Sequence, residues 1–220
     1  KTGFNVSEIG FGAWAIGESG WGRQSESDSI AALNRALDLG VNFIDTAQGY
    51  GDGKSERVIA NVLKNRSESI RVATKAAPLP GPWPPSPYCR VDDRYPEDYL
   101  RKNIDERCKN LDTDCIDLLQ LHTWTRAWND TPRPFDVLKQ LQAEGKISKI
   151  GISTPEQDQN AVIDLIRQGY IDTVQLIYNI FEQEPAAQLL DVALEYNVGV
   201  IVRVPFDEGS LTGKFSEQSV

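Results

Sequence analysis

What most constrains this chain is a repeated alternation of short β-branched runs with amphipathic helices. Residues 9–14, 42–47, 71–75, 116–121, 149–153, 173–178 and 199–204 read as strands. Residues 27–39, 54–64, 96–111, 134–144 and 185–196 read as the intervening helices. In the first of these, Ile30, Leu33, Ala36 and Leu37 share one face and Gly40 supplies the stop. Thr154 is placed to cap a further helix whose first position is Pro155. Strands joined by helical crossovers run parallel, because a crossover returns the chain to the edge from which it started.

Such a pattern folds as an open doubly wound sheet or as a closed barrel. No Gly-x-Gly-x-x-Gly follows the first strand, which counts against the dinucleotide-binding open sheet. Every tryptophan (Trp14, Trp21, Trp83, Trp124 and Trp128) falls at a strand end or in the loop after it. In a barrel those segments converge on the C-terminal face, where active sites form. The expected fold is therefore α/β, a (β/α)8 TIM barrel forming a single domain over residues 1–220. Seven units are legible; an eighth is expected beyond Val220, and some chain is expected before Lys1.

Composition narrows the partners. A net charge of −9 argues against nucleic acid and anionic membrane surfaces, which call for clustered basic residues. No apolar run is long enough to span a bilayer, so no membrane insertion is expected. Cys89, Cys108 and Cys115 are odd in number and lack CxxC spacing, which fits reduced thiols and a cytoplasmic location. With one histidine, no metal site is expected.

The chemistry centres on residues 42–51. Asp45 lies near the end of a short apolar strand, where a carboxylate needs a partner. Tyr50 follows in a turn between Gly49 and Gly51, where the backbone bends freely. Lys75 and His122 each end a later strand, so all four groups are expected at one mouth. Each has an ordinary structural explanation: a turn cap, a packed loop ring, a solvated strand end, a satisfied core histidine. Together they form complementary chemistry on one face. A phenol with a usual pKa of about 10 is a poor acid near neutrality, and an adjacent ammonium favours its phenolate. Asp45 would hold Lys75 charged and aimed, and His122 would hydrogen-bond a reacting oxygen. Protonating a carbonyl oxygen completes a reduction when an external donor supplies hydride. Residues 76–94 hold six of the twelve prolines without periodicity, a loop length that is often functional.

These segments resemble the aldo-keto reductases over nearly the whole chain, beginning at Gly10-Phe11-Gly12-Ala13-Trp14. Asn42-Phe43-Ile44-Asp45-Thr46-Ala47 with Tyr50-Gly51 and Ser55-Glu56 is similar to the family's first signature. Val72-Ala73-Thr74-Lys75 resembles its lysine strand, and Asp117-Leu118-Leu119-Gln120-Leu121-His122 its histidine strand. The resemblance implies the (β/α)8 barrel, NADPH as cofactor with NADH as the alternative, and a small carbonyl compound as substrate. It implies a catalytic tetrad of Asp45, Tyr50, Lys75 and His122, with Tyr50 as the acid. Cofactor contacts are implied for Gly12, Ala13, Trp14, Asp45, Ser153, Gln175, Arg203, Pro205, Phe206 and Lys214. Trp14, Trp21, Trp83 and Trp124 are expected to line the substrate pocket. Thr154 stands where the family usually has asparagine, and Arg203 where an aromatic usually stacks on the nicotinamide. Asp207 and Glu208 put two acids along the loop that follows the pyrophosphate. The segment that reads a 2′-phosphate is expected after Val220. Some members of the family act instead as cofactor-binding regulatory subunits of membrane channels, which is the alternative function. A cofactor-free barrel using Tyr50 for another proton transfer is the third.

Overall fold

A computed structural model of the chain describes residues 1–18, 22, 24–216 and 218–219. Its centre is one parallel sheet in the order β1-β2-β3-β4-β5-β6-β7, each strand beside its neighbour in sequence. The strands are β1 (Phe11–Gly12), β2 (Phe43–Asp45), β3 (Arg71–Ala76), β4 (Ile116–Leu121), β5 (Ile147–Ser153), β6 (Thr173–Ile177) and β7 (Gly199–Arg203). Sequential order with every pair parallel is the order of a (β/α)8 barrel, and seven of its strands curl here into an incomplete one.

The helices are α1 (Glu26–Asp38), α2 (Lys54–Leu63), α3 (Glu97–Leu111), α4 (Arg133–Ala143), α5 (Ile163–Arg167), α6 (Glu184–Ala187) and α7 (Leu189–Glu195). Ser25 caps α1 by accepting the Asp28 amide at 3.3 Å, and Gly40 leaves it with φ +94°. The helices bury apolar stripes against the outside of the sheet. Leu33, Ile59 and Val62 do so on one flank, and Leu100, Ile104, Leu138 and Ile166 on the other.

Three local expectations differ from what forms. The first strand is only Phe11–Gly12; the Ala13 amide still reaches the Asp45 carbonyl at 2.9 Å, after which Trp14–Gly17 turns as 3-10 helix. No helix starts at Pro155, because the Thr154 hydroxyl bonds the buried Gln159 side chain at 3.2 Å instead of capping. Helix begins at Gln159–Val162 as 3-10 and continues as α5. The expected helix over 185–196 breaks at Gln188, whose φ −155° and ψ −44° separate α6 from α7.

Inside the curl, strand alternation stacks two layers. Phe43, Ala73 and Leu118 make the lower one, with Phe4 and Ile201 packed against them. Two residues further along the same strands come Asp45, Lys75 and Gln120, so a polar layer lies directly above an apolar floor. Among the described residues no helix is long and apolar enough to cross a membrane.

Candidate active site

Lys75 is the hub of the polar layer. It is 1% exposed and sits in register with Gln120 on β4. Its Nζ donates to Asp45 Oδ2 at 2.7 Å, to the Thr46 carbonyl at 2.9 Å and to the Tyr50 hydroxyl at 3.3 Å. An ammonium with this many acceptors is tolerated inside a protein. Burial alone pulls the Lys75 pKa down, but the Asp45 carboxylate and Tyr50 more than offset it, so the group stays charged.

Asp45 is held from three strands. Beyond the Lys75 bond, its Oδ1 accepts from Gln175 Nε2 at 2.8 Å and from Gln120 Nε2 at 3.2 Å. Tyr50 is carried by a turn packed on Gly17. A Cβ at Gly17 would lie 2.4 Å from the Tyr50 carbonyl carbon, so only glycine lets the two segments meet. Gly51, at φ +68°, lies against the same glycine from the other side. The turn is further tied by Ser55, which accepts from Thr46 Oγ1 at 2.8 Å and donates to the Ala13 carbonyl at 3.0 Å.

His122 follows β4 directly, its amide on the Ala76 carbonyl at 3.0 Å. Burial, then the charges of Lys75 and Arg203, pull its pKa down to about 3, so the imidazole is neutral across the physiological range. A neutral imidazole can donate or accept a hydrogen bond without carrying charge. The Tyr50 ring stands 6.1 Å from it at 78°, and the Trp83 ring 5.4 Å from it at 82°. Trp14 stacks on Tyr50 with centroids 6.2 Å apart.

These groups open into a cavity of about 980 Å³. Gly12, Ala13, Trp14, Asp45, Tyr50, Trp83, His122, Ser153, Gln175, Arg203 and Pro205 all line it. The four expected catalytic groups therefore converge, as do most of the expected cofactor contacts. Arg203 is only loosely tied, to Glu156 Oε1 and the Thr154 carbonyl, each at 3.4 Å. Its buried Nε has no hydrogen-bond partner among the described residues.

Other expected site residues lie elsewhere. Trp124 does not line the pocket: it is fully buried in the main core cluster, its ring 5.2 Å from Trp128 and from Phe135. Trp128 is likewise core, so the expectation that all the tryptophans flank one mouth does not hold. Phe206 is 60% exposed, and neither it nor Lys214 lines the cavity. Trp21 lies outside the described residues.

Sequence reading missed Gln120 and Gly17. Gln120 did carry a signal, a polar residue in the apolar run after Asp117, two positions before His122 and hence on the same face. Gly17 carried none, since its need for glycine comes from a contact with a distant turn. Also unread was the buried pair of Glu56 and Arg107, 2.9 Å apart, which with the Thr74–Glu56 bond at 2.6 Å ties α2 and α3 to the strand bearing Lys75.

A model of the aldo/keto reductase family matches residues 8–219. The chain is 34% identical to the aldo-keto reductase YhdN of Bacillus subtilis over 99% of its own length and 63% of that protein's. It is 30% identical to the NADH-specific methylglyoxal reductase of Escherichia coli, covering 100% of this chain and 69% of that one. Among solved structures, the glycerol dehydrogenase of Gluconobacter oxydans superposes with a TM-score of 0.81 at 28% identity. That match covers 99% of this chain and 65% of the dehydrogenase. The chain thus spans about two thirds of the length of the proteins it resembles. With its strand order, its buried lysine–aspartate–tyrosine cluster and this match over almost every residue, the chain belongs to the aldo/keto reductase family.

Proposed function

We propose that the protein reduces the carbonyl of an aldehyde or ketone to an alcohol, using hydride from NADPH or, as the alternative, NADH. The observation that carries this reading is the buried Lys75 ammonium, which bonds at once Asp45 and the Tyr50 hydroxyl, two groups that line a large cavity. The cavity fits a dinucleotide in size, being at the upper end of ligand sites. Its wall offers Gln175 and Ser153 for a carboxamide, and the cationic side chain of Arg203 for an anionic group. A nicotinamide cofactor bound there supplies hydride to the carbonyl carbon.

The chain's own residues do the rest. The Tyr50 hydroxyl gives its proton to the carbonyl oxygen as the alkoxide develops. Lys75 stabilises the phenolate that remains, and Asp45 keeps Lys75 aimed. Neutral His122 orients the carbonyl by a hydrogen bond and holds no charge that would compete with the donor. Trp14 and Trp83 offer apolar wall beside the phenol and the imidazole.

The relatives above are named as reductases or dehydrogenases, which supports an enzyme over a channel-associated regulatory subunit. The test is to follow NADPH and NADH absorbance with a generic aromatic aldehyde. Aldehyde-dependent loss of absorbance is expected. Tight cofactor binding without turnover would favour the regulatory reading, and no cofactor affinity would favour a cofactor-free barrel.

A further inference from the structure

We propose that Arg94 is a positioning residue that fixes Trp83 over His122 and so gives the site its preference for carbonyl compounds bearing a flat aromatic group. The substrate half of this inference rests on the reductase reading above. Trp83 reaches the cavity from the proline-rich loop, edge-on to His122, and its side is open enough that it is 59% exposed. An indole with so little packing stays in place only if its backbone is held.

The loop is tied near its start by the Tyr99 hydroxyl, which donates to the Ala77 carbonyl at 2.7 Å. It is tied near its end by Trp128 Nε1, which donates to the Cys89 carbonyl at 2.8 Å. Between these, among the described residues, the ties from outside the loop tip come from Arg94. Its Nε donates to the Leu79 carbonyl at 2.8 Å and its Nη1 to the Pro82 carbonyl at 3.1 Å, the peptide that precedes Trp83. Its own carbonyl accepts the Leu79 amide at 2.8 Å. The side chain is only 5% exposed, so these charge-assisted bonds compete little with water.

Gly81 confirms how closely the loop lies on the guanidinium. A Cβ there would stand 2.9 Å from Nη1 and 3.0 Å from Cζ. The guanidinium, bonded through both Nε and Nη1, has no freedom to step aside. Lysine, a point charge, cannot hold both carbonyls in the planar fork that arginine presents. The tie and the ring lie on consecutive residues, so ordering at Pro82 passes directly to Trp83. With Trp14 stacked on Tyr50, the fixed indole completes a pair of aromatic walls beside the phenol and the imidazole. Aromatic groups gain most between such walls, since edge and face contacts add to area burial.

The experiment compares Arg94→Lys, Arg94→Met, Trp83→Ala and the double variant Trp83→Ala/Arg94→Met, with benzaldehyde and with propanal. Loss of the tie is expected to raise KM for benzaldehyde by about tenfold, the scale of one charge-assisted hydrogen bond. The rise for propanal should be much smaller, with NADPH affinity the same in all variants. Trp83→Ala should reproduce the effect, and adding Arg94→Met to it should raise KM no further. Multiplying KM effects in the double variant, or equal losses for both aldehydes, would overturn the proposal. If Arg94→Met does not fold, Gly81→Ala perturbs the same contact from the loop side and should give the same KM pattern. A second readout does not depend on turnover. In protein carrying 5-fluorotryptophan at its five tryptophans, the Trp83 resonance is assigned by its loss in Trp83→Phe. It should move and broaden in Arg94→Lys while the Trp124 and Trp128 signals stay. That result in a protein with no carbonyl turnover would keep the positioning role and sink only the reductase reading. An unmoved Trp83 signal would refute the positioning role itself.

Discussion

Lys75 and Gln120 are register partners on neighbouring strands, and both reach the same carboxylate, Asp45, one at each oxygen. Gln175 adds a third strand to the grip. Asp45 can therefore neither rotate away from Lys75 nor release it without stranding amide donors. Removing the cation leaves the carboxylate unpaired in a site it cannot easily leave. Lys75→Met is expected to lower stability by about 3–5 kcal/mol as well as abolishing turnover, as read by urea unfolding. Combining it with Asp45→Asn should regain stability but not activity. Additive stability losses would show that the two side chains do not pair in solution.

Tyr50→Phe tests the acid. The ring's stack on Trp14 and its packing survive the change, and only the hydroxyl that accepts from Lys75 is lost. Turnover should fall by roughly 10² to 10⁴, the range for deleting a positioned proton donor. NADPH affinity should barely change if the phenol faces the carbonyl, as proposed. Loss of NADPH binding with normal turnover of the bound enzyme would move Tyr50 to the cofactor site.

The single histidine makes its titration easy to assign. With a folded-state pKa pulled down to about 3 by burial, Lys75 and Arg203, the imidazole C2–H resonance should stay flat from neutrality to well below pH 5. Unfolded, His122 titrates near the ordinary value of about 6.5. Between those values the unfolded chain binds more protons than the native one. The stabilising contribution is therefore full above about pH 6.5 and is lost as pH falls towards 3, with a limiting slope of about 1.4 kcal/mol per pH unit. His122→Asn should flatten that component of the stability profile. A resonance midpoint near 6.5 would mean a solvated imidazole, available as a charged acid.

What could be read from the residues was whatever repeats or is local. Strand and helix alternation carried the barrel, and three polar residues at strand ends with a tyrosine in the turn after the second carried the centre of the candidate site, because strand period and direction bring those ends together. What could not be read depends on contacts across the chain. Gly17 must be glycine only because the Tyr50 turn presses on it. Arg94 reads as a surface charge until its loop folds back over it. Thr154-Pro155 has the local chemistry of a helix start, but the Thr154 hydroxyl and the Ile177 amide both bond the Gln159 side chain, which holds the segment open. The two tryptophans after β4 follow a strand end like the others, yet their large apolar area is buried in the main core cluster.

That burial gives the last prediction. Trp124 is fully buried, and its Nε1 donates to Asn129 Oδ1 at 2.8 Å, while Asn129 Nδ2 donates to the Ala161 carbonyl at 2.9 Å. The indole is thus a structural peg joining the loop after β4 to the segment before α5. Trp124→Phe keeps an aromatic ring against Trp128 and Phe135 but leaves the Asn129 oxygen without its donor. A buried acceptor left unmade costs about 1–3 kcal/mol, and that loss should appear in denaturant unfolding. KM for an aromatic aldehyde should stay near the unmutated value, in contrast to Trp83→Ala. A raised KM at unchanged stability would place Trp124 in the mouth after all, and would require the loop after β4 to fold inward over His122.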